Sequence, residues 1–161
     1  MLKKLFFLPL FLSLLGFGGC AVKRYEKPHP ALIVLKTPKL KYADQGFVYR
    51  GRDRVKVQVY ASGKAVLTLT AGRNLCIDGK CMEERRFDEA FLGVVYPEGT
   101  MRSIFLGRPI FGKKGLQCSR GRCEQRIDEP GRYDIIYAFD SGHVRFKDRK
   151  NHILIKMTEI R

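Results

Sequence analysis

The fold of this chain is decided by a stretch that reads RVKVQVYASGKAVLTL, residues 54–69. Apolar and polar residues alternate strictly over its first half, and the apolar face resumes at Ala65, Leu67 and Leu69. Strict alternation is typical of a strand with one buried face, and Ser62-Gly63 between two such runs favours a tight turn. The stretch therefore predicts an antiparallel β-hairpin.

The same alternation returns near the C-terminus, on either side of Ser141-Gly142. Its apolar members are Tyr133, Ile135, Tyr137 and Phe139 before the turn and Val144 and Phe146 after it. A last strand is predicted from Ile153 to Ile160. Shorter segments, 32–36 and 47–50, are interrupted by Pro38 and are predicted to be edge strands or strands that lead into the sheet.

Between these two β-rich parts, the period of the apolar residues changes from two to about 3.6, which predicts two helices. The first apolar stripe consists of Phe87, Ala90, Phe91, Val94 and Val95, and the second of Met101, Ile104 and Phe105. Pro97 follows the first helix and Gly107 ends the second. We therefore predict an α+β fold: a curled antiparallel β-sheet, or half-barrel, with two helices covering one face.

The N-terminus has the features of a bacterial export signal. Lys3 and Lys4 precede an apolar run of 13 residues, Leu5 to Phe17, which is shorter than the roughly 20 residues needed to span a bilayer. Two glycines then precede Cys20, as in the lipobox of bacterial lipoproteins, although Phe17 stands where that pattern prefers leucine.

This pattern predicts that Cys20 is acylated and that its two or more acyl chains hold the mature protein to a membrane. The predicted organisation is a lipoprotein signal peptide over residues 1–19, the lipidated cysteine and a flexible tether over 20–30, and a single periplasmic α+β domain over 31–161. Pro28 and Pro30 favour the tether.

The chain is strongly basic, with 31 Lys and Arg against 16 Asp and Glu. Loss of Lys3 and Lys4 with the signal lowers the formal net charge from +15 to +13. An exported protein does not meet nucleic acid, so the expected partners are anionic lipid, lipopolysaccharide, cell-wall polymer or an acidic envelope protein. Outward strand positions would form the basic surface: Arg54, Lys56, Arg145 and Lys147. A solvated surface without a partner is the alternative.

Four further cysteines form two pairs with the same spacing, Cys76 with Cys81 and Cys118 with Cys123. If Asp78-Gly79 and its counterpart in the second pair are two-residue turns, the cysteines of each pair lie directly opposite each other, within reach of a disulfide. Export to an oxidising compartment favours two disulfides. A four-cysteine zinc site is the alternative, and we predict no metal.

No catalytic motif stands out, and we predict neither an enzyme nor a cofactor. His29, His143 and His152 belong to no recognisable constellation, and the sequence contains no nucleophile elbow, phosphate-binding loop or zinc-protease motif. The acidic residues between Glu83 and Glu89 favour the positive end of a helix.

A curled sheet under helices can enclose an apolar ligand cavity. Inward positions would line it: Val57, Val59, Leu67, Leu69, Phe91, Val95, Ile104, Phe105, Ile135, Tyr137 and Phe146. The alternative interpretation is that these residues form an ordinary hydrophobic core.

The order of lipobox, hairpin, helix pair and closing strands resembles the outer-membrane lipoprotein receptor of the Lol sorting pathway. The resemblance rests on residues 96–109, which end in Leu106-Gly107-Arg108-Pro109, and on the ending, 143–160. The chain is also similar to small lipoproteins of Campylobacter-like bacteria. The resemblance implies binding of lipid or lipoprotein acyl chains. Ala21 does not resemble the aspartate that retains lipoproteins at the inner membrane, which implies attachment to the outer membrane, facing the periplasm.

Two hypotheses follow. The first is a carrier that binds lipid or acyl chains in a cavity between sheet and helices. The second is a non-enzymatic envelope protein that docks an acidic partner or the cell wall through a basic face.

Overall fold

The computed structural model describes residues 27–160, which form one antiparallel sheet of eleven strands and a helical crossover. The predicted signal peptide, Cys20 and most of the predicted tether lie outside these residues. Within the described part, no helix has the length and apolar character that crossing a membrane requires.

The bounds of the strands and helices are as follows. The strands are β1 (His29–Lys36), β2 (Lys41–Arg50), β3 (Val55–Ala61), β4 (Lys64–Ala71), β5 (Leu75–Ile77), β6 (Lys80–Met82), β7 (Leu116–Ser119), β8 (Arg122–Glu129), β9 (Tyr133–Phe139), β10 (His143–Asp148) and β11 (Ile153–Glu159). The crossover contains α1 (Glu84–Phe87), a π-helical turn (Asp88–Leu92), α2 (Thr100–Leu106) and a 3-10 turn (Phe111–Lys113).

The chain begins in the centre of the sheet and returns to it. The strand order is β6-β5-β4-β3-β2-β1-β11-β10-β9-β8-β7, so the chain runs from β1 to one edge, crosses through the helices, and comes back from the other edge to β11. The sheet is not closed. The predicted antiparallel sheet with two short helices is confirmed, whereas its likeness to the Lol receptor stays a prediction.

Of the two alternatives for the first two segments, an edge position is wrong, whereas β1 is the strand through which the described chain enters the sheet. Strand β1 pairs with β2 on one side and with β11 on the other, where Ile33 lies opposite Met157. Pro38 lies in the turn between β1 and β2, where it disturbs no strand pairing.

Both predicted hairpins are present. In the first, β3 and β4 join through Ser62-Gly63, and in the second, β9 and β10 flank Ser141-Gly142. The register of the first shifts beyond the Val59–Leu67 pair, so that Tyr60 pairs with Ala65. Ala65 was expected on the apolar face but is exposed, because this bulge turns the strand end outward.

The sheet curls around the end of α2. At Gly46 in β2, an added Cβ would lie 1.9 Å from the carbonyl oxygen of Gln58 in β3, so the two backbones approach more closely than a side chain permits. The Arg108 guanidinium, just beyond α2, donates to the Arg52 carbonyl oxygen in the β2–β3 turn at 2.9 Å. One cleft there has walls from Arg50 of β2 and from the β7–β8 turn, at opposite sides of the sheet.

The first helix differs from its prediction. It begins at Glu84 and continues as a π-helical turn, in which the Gly93 amide donates to the Asp88 carbonyl oxygen at 2.9 Å. A π turn spaces inward positions five residues apart, so Phe87 and Leu92 are buried while Phe91 is half-buried. Val94 and Val95 lie beyond the helix.

Each edge of the sheet carries one cysteine hairpin. Cys76 pairs with Cys81 between β5 and β6, and Cys118 with Cys123 between β7 and β8, directly opposite in register. Their sulfur atoms are 2.07 Å and 2.02 Å apart, which confirms the predicted disulfides. The zinc alternative required all four cysteines at one place, but the two hairpins form opposite edges of the sheet.

Candidate functional site

The predicted cavity residues meet in the interior of the curled sheet. Nine of them are at most 1% exposed: Val57, Val59, Leu67, Leu69, Ile104, Phe105, Ile135, Tyr137 and Phe146. Phe91 and Val95 are half-buried. Helix α2 inserts Met101 into the same core. The buried members of this set belong to one hydrophobic core between the sheet and the helices.

One cleft lies beside the first helix and is lined mostly by charged residues. It has a volume of about 500 Å³ and touches Val95 at its rim. Charged side chains dominate its lining: Arg73, Glu83, Glu84, Arg85 and Glu98. One of them has a structural role, because the Glu84 carboxylate accepts hydrogen bonds from the amides of Gly99 at 2.6 Å and Met101 at 2.8 Å. Glu84 thus caps the N-terminus of α2, the role expected for a carboxylate at a helix end.

A buried carboxylate, Asp148, ties the crossover to the sheet. Its side chain is 0% exposed, and it accepts hydrogen bonds from the Tyr96 hydroxyl at 2.7 Å and from Asn151 Nδ2 at 2.7 Å. Three backbone amides also donate to it, from Asp134, Lys150 and Asn151. Burial, and then the bond to Asp148, raises the pKa of Tyr96 well above its ordinary value, so the hydroxyl remains a donor.

A second buried carboxylate, Asp88, is less well paired. One oxygen accepts a hydrogen bond from the Tyr96 amide at 2.9 Å, and the other has no hydrogen-bond partner among the described residues. Burial raises the pKa of Asp88 to about 7, and the charges of Glu84 and Glu89 act in the same direction. Sequence reasoning placed Asp88 among solvated helix-start carboxylates and missed its burial.

We expect the stability of the domain to depend on the ionisation of Asp88. Asp88 binds a proton more tightly in the folded state than in the unfolded state, where its pKa is near 3.8. The contribution of Asp88 to the free energy of unfolding therefore falls as pH rises from about 4 to 7 and is constant above that range. Replacing Asp88 by asparagine keeps an acceptor for the Tyr96 amide but cannot ionise. The variant should gain roughly 2–4 kcal/mol over wild type at pH 8, and less at pH 5.

Urea unfolding of both proteins at each pH measures this difference. Glu89→Gln removes the same charge from an exposed neighbour, whose ion pair with Arg85 lies at the surface, and should change stability by less than about 0.5 kcal/mol. A wild-type minus D88N difference that is the same at pH 5 and pH 8 would contradict the raised pKa.

The three histidines and the remaining acidic residues do not converge. His29 lies near Glu159 at 3.7 Å, His143 bonds Asp140 at 2.8 Å, and His152 lies in the β10–β11 turn. Across residues 27–160, no group of three or more His, Cys, Asp or Glu side chains is placed to hold a metal ion.

The outer face of the central strands carries a basic surface. Its members, which we name the outer basic face, are Lys36, Lys41, Arg145, Lys147 and Lys156, all exposed. In the strand register, Arg145 lies directly opposite Lys156, and Lys36 directly opposite Lys41. Among the described residues, none of the five takes part in an ion pair.

Apolar side chains lie between these charges. Leu154 separates Lys147 from Lys36 in the register across β10, β11 and β1, and Leu32 on β1 is 48% exposed. Two shallow clefts of about 380 Å³ and 260 Å³ lie here and share Lys156. The face thus combines positive charge with apolar contact area.

The structure divides the predicted basic surface. Arg145 and Lys147 belong to the outer basic face, whereas Lys56 lies on β3, three strands away from β11, with its Nζ 4.0 Å from the ring centre of Tyr49. Arg54 lies at the start of that strand, half-buried. Lys36, Lys41 and Lys156 escaped sequence reasoning because strands from opposite ends of the described chain bring them together.

Comparisons with protein-family models, with curated proteins and with solved structures found no match to this chain.

Proposed function

We propose that this chain is a non-enzymatic envelope lipoprotein, anchored through Cys20 at the periplasmic side of the outer membrane, that docks a carboxylate-rich partner through its outer basic face. One observation carries the proposal. In each of two like-charge pairs, Arg145–Lys156 and Lys36–Lys41, the two residues lie directly opposite each other on neighbouring strands. Like charges directly opposite in a sheet destabilise it.

A carboxylate-rich partner would remove this repulsion on binding. Lysine ammonium groups are mobile point charges on flexible stems, suited to diffuse attraction of carboxylates. The apolar residues between them, such as Leu32, add contact area that an entirely charged face lacks. Acidic envelope proteins and the peptide stems of the cell wall both present carboxylates to the periplasm.

Retention on two probes, isolated peptidoglycan sacculi and immobilised poly-glutamate, tests the docking role. The protein is the mature chain with Cys20→Ser, which removes the anchor. We expect a variant with Arg145, Lys147 and Lys156 replaced by glutamine to lose on the order of 10-fold to 100-fold in retention, and wild-type retention to weaken as salt rises.

A charge-matched control comes from the turns at one end of the sheet. Lys39, Lys64 and Lys150 are exposed, and their replacement by glutamine removes as many positive charges as the outer-face variant loses. If this control loses as much retention as the outer-face variant, net charge alone explains binding and the docking face is refuted. Equal retention of wild type and outer-face variant refutes it as well.

Acyl-chain binding is a second candidate, which the ends of α2 favour. Gly99 and Gly107 flank this helix, both with left-handed backbone, at φ 82° and 62°. A short helix between two glycines can be displaced as a unit, and its displacement would open the apolar space between the predicted cavity residues.

Native mass spectrometry of the unanchored chain, purified from the periplasm, tests this candidate. A co-purifying phospholipid or acyl chain, released on denaturation, would support it. Replacing Phe105 in α2 by alanine should then alter the bound lipid fraction, whereas the outer-face variant should not. A mass without ligand in both wild type and F105A would refute it.

A further inference from the structure

Arginines from three separate segments lie at one end of the sheet. The β2–β3 turn contributes Arg50, Arg52 and Arg54, the segment after α2 contributes Arg108, and the β7–β8 hairpin contributes Arg120 and Arg122. We name this set the arginine end. The segments are contiguous, because Arg108 donates to the Arg52 carbonyl oxygen at 2.9 Å and a single cleft of about 350 Å³ touches both Arg50 and Gly121.

Most of these guanidinium groups have no acidic partner. Arg50 pairs with Glu159, and Asp140 is held by His143. Across residues 27–160, the other five arginines take part in no ion pair. Asp53 is the one acidic residue within the β2–β3 turn. The arginine end therefore carries an excess of positive charge.

The two ends of the sheet differ in residue type. The turns of the opposite end contain Lys39 and Lys150, and its two arginines, Arg132 and Arg149, are ion-paired with Glu129 and Asp134. At the arginine end, the turns 51–54, 72–74, 120–121 and 140–142 contain no lysine. Arginine presents a planar fork of donors that matches phosphate oxygens in two parallel hydrogen bonds, which lysine cannot do.

The chain enters the domain at this same end. Strand β1 begins at His29, beside the end of β11 and the start of β10, and runs away from the arginine end. Lys27, the first described residue, is seven residues from Cys20, a separation that cannot exceed about 25 Å. An anchor at Cys20 would hold the arginine end close to the headgroups of its membrane.

We propose that the arginine end binds the phosphates of anionic lipids in the membrane that holds the anchor, so that the domain stands on the bilayer on this end. The proposal rests on the proposed anchoring, but it concerns different residues from the outer basic face, which the arginine end adjoins at Arg122 in the cleft lined by Arg145 and Lys156. Docked in this way, the domain holds the opposite turns, with Lys39 and Lys150, away from the membrane.

Co-sedimentation with vesicles tests the surface. The mature chain with Cys20→Ser is mixed with vesicles of phosphatidylethanolamine containing phosphatidylglycerol, or of phosphatidylcholine alone. Each arginine near an anionic surface contributes roughly fivefold to binding, so replacing Arg52, Arg108 and Arg120 by glutamine should weaken binding to the anionic vesicles on the order of 100-fold. The control with Lys39, Lys64 and Lys150 replaced should stay within about threefold of wild type.

Equal losses in the two variants would overturn the proposal, and so would wild-type binding that does not distinguish anionic from neutral vesicles. The outer-face variant, Arg145, Lys147 and Lys156 replaced, should bind vesicles nearly as wild type does. Failure of the docking role would appear as lost retention on sacculi and poly-glutamate, which contain no lipid. Failure of the lipid proposal would appear only with vesicles, so the two failures are distinguishable.

A second measurement reports orientation without removing any arginine. The chain contains no tryptophan, so Ser141→Trp at the arginine end and Lys39→Trp at the opposite end each create a single tryptophan at an exposed position. Brominated lipids should quench the tryptophan fluorescence of the S141W variant and leave that of the K39W variant unquenched. Equal quenching of both, or quenching of the second alone, would overturn the proposed orientation.

Discussion

Replacing Asp148 by alanine is expected to lower the free energy of unfolding by about 3–5 kcal/mol, because one buried carboxylate satisfies five donors. Without it, the Tyr96 hydroxyl lies unpaired in the core, where the centre of the Tyr96 ring is 5.3 Å from that of Tyr133 and 5.7 Å from that of Phe146. The β10–β11 turn also loses the acceptor for its own amides, so both the turn and the crossover are loosened.

Urea unfolding followed by far-ultraviolet circular dichroism measures this loss, with the disulfides left intact. Tyr96→Phe removes one of the five donors and keeps the ring, so it should cost about 1 kcal/mol. Asp134→Ala removes a carboxylate whose ion pair with Arg149 is largely exposed, and should cost at most about 1 kcal/mol. If D148A were no more destabilised than Y96F, the carboxylate would not be the centre of this network.

Gly46→Ala should destabilise the domain by about 3 kcal/mol or more, because the new methyl group has no space. It would lie 1.9 Å from the carbonyl oxygen of Gln58 and 2.7 Å from the Cδ1 atom of Ile33. The first of these neighbours is a backbone atom of β3. The steric clash can therefore be removed only if β2 and β3 separate at the bend of the sheet. The midpoint of thermal unfolding should fall by roughly 10 °C.

Gly72→Ala is the matched control for this substitution. Its added Cβ would meet its nearest neighbour, the Cβ of Arg54, at 3.5 Å, an ordinary contact, and its effect should stay within about 1 kcal/mol. The midpoints of thermal unfolding of G46A and G72A, each compared with wild type, measure the two effects. A small effect of G46A would mean that β2 and β3 can part at this point and that the curl does not depend on the glycine.

Local patterns were sufficient for the hairpins and the disulfides. Alternation around Ser62-Gly63 predicts the inward residues of β3 and β4 from the Val55–Ala71 pair to the Val59–Leu67 pair, whereas the register shifts nearer the turn and leaves Ala65 exposed. The same argument, applied to Asp78-Gly79 and to Arg120-Gly121, places each cysteine opposite its partner. In all of these cases the interacting residues are close in sequence.

Predictions of burial from the period of the apolar residues were wrong where the backbone departed from ideal geometry or where burial depended on distant segments. The π-helical turn after Phe87 shifts the inward positions, so Leu92 replaces Phe91 in the core. The helical pattern placed Asp88 among the carboxylates at a helix start, and no local pattern marks Asp148 as buried. Their burial depends on Tyr96, which the crossover brings over the sheet.

Residue type and short spacing were sufficient to predict the antiparallel sheet, its hairpins, the two disulfides, most of the apolar inward positions and the basic excess. Only in the folded chain does β1 lie in the centre beside β11, do lysines from distant strands form one outer face, and do arginines of three segments meet at one end. Those juxtapositions arise from strand pairing between opposite ends of the described chain, and no local pattern encodes which distant strands pair.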